Sequence, residues 1–492
     1  MASFLAIIII FAQNGKRMIP GTISIMHILS WLYLPVVVLV IARIVLKNRS
    51  SVKTLAWVLA LVFLPVLGLL LYFLFGRDTR KQKLISSRLL TQLQKKQLSG
   101  SYDSQLEVMP EFATLASFFK NTASAALLGA SEARVIPSPN EFASLLFQAI
   151  EAATDHIHIQ FYIFENDDFG SLLKERLMAK ARQGVEVRLI YDSVGCLGVD
   201  KNFFEEMRCA GVYVESFLKV RFPLLTNKVN YRNHRKVVVI DGKVGFVGGC
   251  NIADRYLRGV KWGKWRDTML LLRGNAVGGL QTSFLVDWYF TNRSLVSGKR
   301  YFQCNSLDKG PLVQTVQSNP VGEVRTIMAG MTKALSLAKG YVYLQTPYFM
   351  PNETFLHALK SAAQSGVDVR LMIPEQSDSK LAGYASRSYL VDIMKAGVKV
   401  YLYGGGFLHS KTLVCDDYLS SIGSANIDFR SFYYNFEVSS FIYDRDVALA
   451  LKDSFFDDTK QCRQLTVNGF IAECSLWERC LESVSRLFSP LL

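Results

Sequence analysis

The sequence predicts a membrane-anchored α/β protein, with two N-terminal transmembrane helices followed by two duplicated α/β domains. Three observations carry this. Two long runs without charge, residues 18–42 and 54–76, stand near the N terminus. A strand–helix–strand stretch is written twice, at 156–190 and at 341–372. A His-x-Lys-x4-Asp pattern then follows each copy, at 234–241 and 409–416.

Composition sets the frame. The chain has 492 residues, half of them apolar and 12% aromatic, which excludes a disordered or fibrous protein. Its length is about three times that of a typical domain. Lys plus Arg is 56 against 41 for Asp plus Glu, a formal charge of +15. A basic excess on an apolar chain fits an anionic partner: a membrane surface, a phospholipid headgroup or a nucleic acid. Eight Cys without a CxxC pair or metal-ligand spacing read as free thiols in a reducing compartment.

Each apolar run exceeds the ~20 residues that span a bilayer core. Neither has a polar face, so a pair of buried core helices is the poorer reading. Trp31, Tyr33, Trp57 and Tyr72 supply aromatics for the interfaces, and Pro35 and Pro65 are expected to kink the spans. A shorter apolar run, 2–12, has no basic residue before it and is too short to span. The loop between the spans carries Arg43, Lys47, Arg49 and Lys53, whereas the flanks carry Lys16, Arg17, Arg77, Arg80, Lys81, Lys83, Arg88, Lys95 and Lys96. The positive-inside rule therefore predicts a multi-pass inner-membrane protein with its bulk in the cytoplasm. The expected organisation is an anchor over 1–80, a basic juxtamembrane linker over 81–135, a first domain over 136–300 and a second over 301–492.

In each copy of the repeat, alternating apolar residues before Gln160 and Gln345 mark a strand, and a Leu, Ala and Lys pattern marks a helix ended by Gly184 or Gly366. Such a unit builds a parallel sheet with helices on its faces. A repeat of this size predicts duplicated α/β domains, not a solenoid.

Residues 234–251 and 409–426 both satisfy His-x-Lys-x4-Asp-x6-Gly-(Gly/Ser)-x-Asn. Two copies with the same Gly and Asn tails, inside a larger repeat, exclude coincidence. With these motifs the sequence closely resembles the phospholipase D superfamily over roughly residues 110–480. It is further similar to bacterial cardiolipin synthases in Leu-Phe-Gly-Arg (74–77), Gln-Thr-Pro-Tyr-Phe (345–349), Ala-Ser-Arg-Ser-Tyr (385–389), Phe-Leu-His-Ser-Lys-Thr (407–412), Asn-Phe-Glu-Val (435–438) and Ser-Pro-Leu-Leu (489–492). The resemblance implies two phospholipase D-like α/β sandwich domains sharing one active site. It also implies phosphatidylglycerol as donor and acceptor, with cardiolipin and glycerol as products.

The residue types suit that chemistry. His234 and Lys236, like His409 and Lys411, are two apart and point to one face of an extended chain. One imidazole attacks phosphorus and forms a phospho-histidine. The other protonates the leaving alcohol and deprotonates the incoming one. The lysines stabilise the non-bridging oxygens, with Asn251 and Asn426 as candidate donors to the same oxygens. The residues themselves do not choose the nucleophile; the resemblance favours His234, with His409 as acid and base. The family motif counts Asp241 and Asp416 as catalytic-site residues. Their strand parity and the Asp241-Gly242 pair instead suggest that they hold turns. Asp267 and Glu437 are the candidate carboxylates for orienting the imidazoles.

The scheme calls for no metal and no cofactor, so activity is expected to survive a chelator. The alternatives are a hydrolase releasing phosphatidic acid and a membrane-tethered nuclease, the latter disfavoured by the spans, so no nucleic-acid partner is expected. A scaffold with a dead site is disfavoured by the intact His-Lys pairs. No pattern in the sequence fixes an oligomeric state. Lys219, Arg221, Lys228, Arg232 and Arg235 sit among apolar residues as either a mouth for an anionic amphiphile or a solvated loop. Gly404-Gly405-Gly406 offers backbone freedom beside the second motif, or a turn. His27 reads as interfacial, and His156, His158 and His357 as structural, with His158 able to border the site.

Overall fold

The computed structural model describes residues 25–46, 51–64, 66–72, 106–219, 230–302 and 310–490. The short apolar run 2–12, the basic stretch 77–96, and Arg221 and Lys228 lie outside the described residues. Two compact units emerge, one holding the N-terminal helices and the other everything from residue 106 onward.

In the first unit, α1 spans Ile25–Val45 with Pro35 inside it. The second apolar run does not form one helix over 54–76. It forms α2 (Ser51–Phe63) and α3 (Leu67–Leu71). The break falls between Phe63 and Leu67, where the sequence holds a proline, a residue type that donates no backbone N–H and disfavours a helix interior. Val37, Ile44, Leu61 and Tyr72 pack together, and Trp57 meets Tyr72 edge-on at 5.5 Å. Among the described residues no helix is long and apolar enough to cross a membrane.

The second unit begins inside the stretch expected to be a linker. There α4 (Pro110–Ala123), β1 (Leu128–Gly129) and β2 (Glu132–Ile136) are ordered parts of the fold. Phe112, Leu115 and Phe119 of α4 sit in the core of the second half, where Phe119 meets Phe441 at 4.4 Å. Only the apolar spacing of α4 signals this, because it carries no motif.

The first half continues with α5 (Pro139–Glu151), β3 (His156–Phe161), α6 (Asp168–Arg182), β4 (Glu186–Asp192), α7 (Lys201–Cys209), β5 (Tyr213–Phe217), β6 (Val237–Ile240), β7 (Val244–Gly248), α8 (Asp254–Arg258), β8 (Lys264–Arg266), β9 (Met269–Arg273) and α9 (Val277–Asn292). The second half is β10 (Leu312–Ser318), α10 (Thr326–Leu337), β11 (Tyr341–Gln345), β12 (Phe349–Met350), α11 (Glu353–Gln364), β13 (Asp368–Pro374), α12 (Lys380–Arg387), α13 (Leu390–Lys395), β14 (Lys399–Tyr403), β15 (Gly406–Leu408), β16 (Thr412–Cys415), β17 (Leu419–Gly423), β18 (Ile427–Asp428), α14 (Phe429–Tyr433), β19 (Glu437–Tyr443), α15 (Arg445–Thr459), β20 (Cys462–Gln464), α16 (Val467–Glu473) and α17 (Leu476–Phe488).

The duplication is a duplication of topology. The first sheet runs β2-β9-β7-β6-β3-β4-β5, and the second runs β10-β19-β17-β16-β11-β13-β14 with β1 and β20 added at its edges. In both, the two βαβ connections are parallel and the hairpins antiparallel. Helix starts follow local chemistry: Ser138, Asp167, Asn352 and Asp444 each cap a helix by accepting from an amide of its first turn. Gly184 and Gly366, at φ 89° and 92°, end α6 and α11 in the left-handed conformation that a side chain resists.

Alternate strand residues divide the core. Val238 and Ile240 of β6 face the helices of their own half, whereas Val237 and Val239 pack with Val414, Ile422 and Val438 of the second sheet. The two sheets thus meet face to face, each covered by helices on its outer side. Seven described Cys are free, with Cys196, Cys250, Cys415 and Cys474 buried.

Candidate active site

The two His-x-Lys segments lie at matching ends of β6 and β16, just before each strand begins and not within it. Each is pinned to the other half of the molecule by short parallel pairings. His234 N–H donates to Phe436 O at 2.9 Å and Phe436 N–H to Arg232 O at 2.8 Å. Likewise β15 pairs in parallel with β8, and His409 N–H donates to Arg266 O at 2.7 Å. Gly406 makes that pairing possible: its φ is 140°, and a Cβ there would collide with the Lys264 backbone.

These pairings place a carboxylate from one half beside the histidine of the other. Nδ1 of His234 lies 3.1 Å from a Glu437 oxygen, and Nδ1 of His409 lies 2.6 Å from Asp267. The sequence reading found both carboxylates; the crossing of the pairs comes only from the fold. With Nδ1–H directed at a carboxylate, Nε2 of each ring keeps its lone pair for chemistry. Lys236 donates to His234 O at 2.7 Å, and Lys411 donates to His409 O.

Five of the six groups are buried and His234 is nearly so, with 13% of its side chain exposed, and desolvation dominates their protonation. It draws the Lys236 ammonium down to about 7, with Lys411 also lowering it and Glu437 opposing. Lys411 is drawn to about 8 by the same desolvation, against Asp267 and Glu437. Burial and then Lys411 push His409 to about 3, and burial lowers His234 against the pull of Glu437. Burial favours protonation of Asp267 and Glu437, but nearby Lys411, His409 and His234 outweigh it and hold both carboxylates below their ordinary values.

Asp241 and Asp416 are not part of this cluster. Asp241 accepts from the Thr154, Asp155 and His156 amides at 2.8–2.9 Å and from the Thr154 hydroxyl at 3.1 Å. Asp416 does the same for Lys339, Gly340 and Tyr341 at 2.7–2.9 Å. Both have positive φ, 54° and 50°, at the turn beyond the far end of the strand from the histidine. They tie the β6–β7 and β16–β17 turns to the starts of β3 and β11.

The asparagines are also committed. Asn251 accepts from the Ile163 amide at 3.1 Å and donates to the Tyr256 hydroxyl. Asn426 donates to Asp428 at 3.0 Å, leaving its buried Oδ1 without a partner. Each side-chain amide thus has one of its two N–H groups engaged within the protein, with Tyr256 or with Asp428. Among the described residues of the basic stretch, the two arginines do not line a mouth. Arg232 and Arg235 are buried and paired with Asp192 and Asp287 at 3.1 and 2.6 Å, and Lys219 reaches Glu215 at 3.8 Å. His158 stacks on Phe284 at 4.5 Å under α9, and burial with the charge of His156 drives its pKa well down; the exposed His357 sits near Glu353.

The family model for "Cardiolipin synthase, PLD-like domain" matches residues 146–271 and again 331–459, one match per half. The chain belongs to this cardiolipin synthase family of the phospholipase D superfamily. A second model, "Phospholipase D-nuclease N-terminal", matches residues 36–77. A cardiolipin synthase of a Geobacillus species is 40% identical over 93% of this chain and 92% of its own. The major cardiolipin synthase ClsA of Bacillus subtilis is 39% identical over 94% and 99%. The crystal structure of phosphatidylserine synthase from Haemophilus influenzae has a TM-score of 0.61 at 14% identity, covering 77% of this chain and 98% of that one, which is a likeness of fold.

Within this cardiolipin synthase framework the structure adds residues that sequence reading passed over. Ser424, at the Gly/Ser position of the second motif, donates to Glu437, whereas a side chain at Gly249 would strike the Asp267 carboxylate. Trp265 and Tyr256 flank the His409 ring at 5.1 and 6.0 Å, while Tyr162 meets His234 at 5.0 Å. Only the Gly/Ser alternation between the two motif copies could have pointed to Ser424.

Proposed function

We propose that the chain transfers a phosphatidyl group from one phosphatidylglycerol to another, giving cardiolipin and glycerol. The reading rests on the two crossed His–carboxylate pairs with two buried lysines between them. Nε2 of His234 attacks phosphorus as the P–O bond to the headgroup glycerol breaks, and His409 gives that oxygen its proton. A hydroxyl of the second phosphatidylglycerol then gives its proton to His409 and attacks phosphorus, and the P–N bond to His234 breaks. Before substrate binds, burial and the charge of Lys411 hold His409 neutral. The negative phosphodiester, brought into a low-dielectric pocket, favours the imidazolium needed for the first step and keeps both lysines charged.

The substrates are amphiphiles, and we place the apolar runs 18–42 and 54–76 in the membrane with the α/β domains on its cytoplasmic side. The charge-free sequence and its basic flanks support this. The catalytic unit offers a further apolar surface: α17 exposes Leu476, Trp477 and Leu487 while burying Glu482 and Ser485. That polarity suits contact with lipid.

The test is a product assay with the full-length protein in phosphatidylglycerol vesicles, with and without EDTA. Cardiolipin and glycerol forming in equal amounts in both arms is the expected result. Phosphatidic acid without cardiolipin would make water the acceptor and the protein a hydrolase.

A further inference from the structure

Two buried arginines outside the motif's His, Lys and Asp occupy related places around the paired histidines. Arg235 donates to the backbone carbonyl of Glu437 at 3.1 Å, to Ser318 O at 3.2 Å and to Asp287 at 2.6 Å. Arg266 donates to the backbone carbonyl of Asp267 at 2.7 Å and makes two 2.9 Å contacts to Asp458. In both cases the arginine grips the peptide of the very carboxylate that orients a histidine. In both cases its other end is fixed to an aspartate on the long helix that follows a matching strand, Asp287 on α9 or Asp458 on α15.

The aspartates are placed alike as well. Asp287 accepts from Gln160 at 2.6 Å, and Asp458 accepts from Gln345 at 2.8 Å, the two matching glutamines near the ends of the repeated strands β3 and β11. The two arginines are not repeat-equivalent: Arg235 follows His234, while Arg266 precedes Asp267. The site has therefore built the same Gln–Asp–Arg–carbonyl chain twice from different positions. Both arginines come from the first half, and both reach into the second. Arg235 reaches the β10–β19 ends, and Arg266 reaches Asp458 and also Ser410, at 3.1 Å.

We propose that Asp287–Arg235 and Asp458–Arg266 are positioning pairs, the first aligning Glu437 for His234 and the second aligning Asp267 for His409. Loss of the arginine–aspartate contact, single at Asp287 and forked at Asp458, lets the carboxylate peptide shift relative to the imidazole. A displacement of about 1 Å at a reacting group costs up to ~100-fold in rate. The assignment of a branch to each half-reaction rests on the phosphatidyl-transfer reading above.

The experiment compares four full-length variants, R235K, D287N, R266K and D458N, on two substrates. One is phosphatidylglycerol. The other is the p-nitrophenyl ester of phosphatidic acid, whose leaving group departs without a proton. The lysine variants keep the buried charge paired, so they report even where an Asn variant folds poorly. Thermal melts set the folded fraction. R266K and D458N are expected to slow phosphatidylglycerol turnover at least about tenfold, yet to keep the p-nitrophenolate burst within about threefold, because only acid catalysis is impaired. R235K and D287N are expected to slow both. The reverse pattern supports the positioning pairs equally and exchanges the roles of the two histidines. Equal losses on both substrates for all four, in proportion to folded fraction, would overturn the proposal, as would full activity in all four. If the wild-type enzyme makes phosphatidic acid in place of cardiolipin, the transfer reading fails while the burst still tests the pairs.

Discussion

The reacting groups sit in an environment that holds them ready for an anion. Lys236 and Lys411, drawn to about 7 and about 8 by burial, are both charged at pH 6 and lose their protons successively as pH rises. A bound phosphodiester restores the charge, so above pH 7 binding requires proton uptake. The affinity for a short dialkyl phosphodiester, singly charged across the range, is therefore expected to fall as pH rises, most steeply above pH 7, where the lysines add to the proton that His409 takes up. At the limit the fall is about tenfold per pH unit for each titrating lysine. Calorimetry in buffers of different ionisation heat checks it, and an affinity flat to pH 9 would contradict it. Glu437 is argued from the same geometry. Its oxygen faces Nδ1 of His234, so E437Q keeps shape but removes the charge that supports the imidazole. A kcat loss of about 10²- to 10⁴-fold with KM little changed is expected, by analogy with carboxylate removal behind a catalytic imidazole. Near-normal kcat in the folded variant would take Glu437 out of the mechanism.

At the scale of elements, the motif divides into parts with different work. The His and Lys of the two copies gather at one site, while the Asp, beyond the other end of a four-residue strand, ties a three-residue turn to the start of the neighbouring strand. Burial alone raises the Asp241 carboxyl, but hydrogen bonds from the Asp155, Thr154 and His156 amides outweigh it and hold it below its ordinary value. A carboxyl lowered on folding adds stability that is full above its unfolded pKa and is lost as pH falls through its folded one. D241A is expected to destabilise the fold by about 1–3 kcal/mol and to flatten this acid-side loss, leaving kcat of the folded fraction within about threefold. Denaturant melts at pH 7 and pH 4 measure it, and a kcat loss without a stability loss would return Asp241 to the site. The turn role was legible in sequence from parity and the Asp-Gly pair. The crossing of the carboxylates was not, because it depends on parallel pairings between segments about 140 and 200 residues apart, which no local pattern encodes. Arg232 and Arg235 misled for a related reason. Charge among apolar residues reads as a mouth for an anionic amphiphile or as a solvated loop until the buried Asp192 and Asp287 are seen beside it.

For the whole molecule, duplication was the most legible feature, because each half keeps one strand order while lending the other a carboxylate. The preface was less legible. Residues 110–136 hold no motif, yet α4 joins the core of the second half and β1 extends its sheet, so the catalytic unit starts well before the first repeat. The N-terminal helices form a separate compact unit, and this sets the last expectation. If their work is to keep the site at the bilayer, they raise the local concentration of a substrate confined to it and leave the chemistry alone, as a tether does. A chain beginning at residue 106 is then expected to turn over short-chain phosphatidylglycerol dispersed in detergent at close to the full-length rate. On vesicles it is expected to lose about tenfold or more, and fusing an unrelated membrane helix to residue 106 should restore much of that. Equal loss on both substrates would mean that the N-terminal unit shapes the site itself, and no loss on vesicles would mean that the catalytic unit holds the bilayer without it.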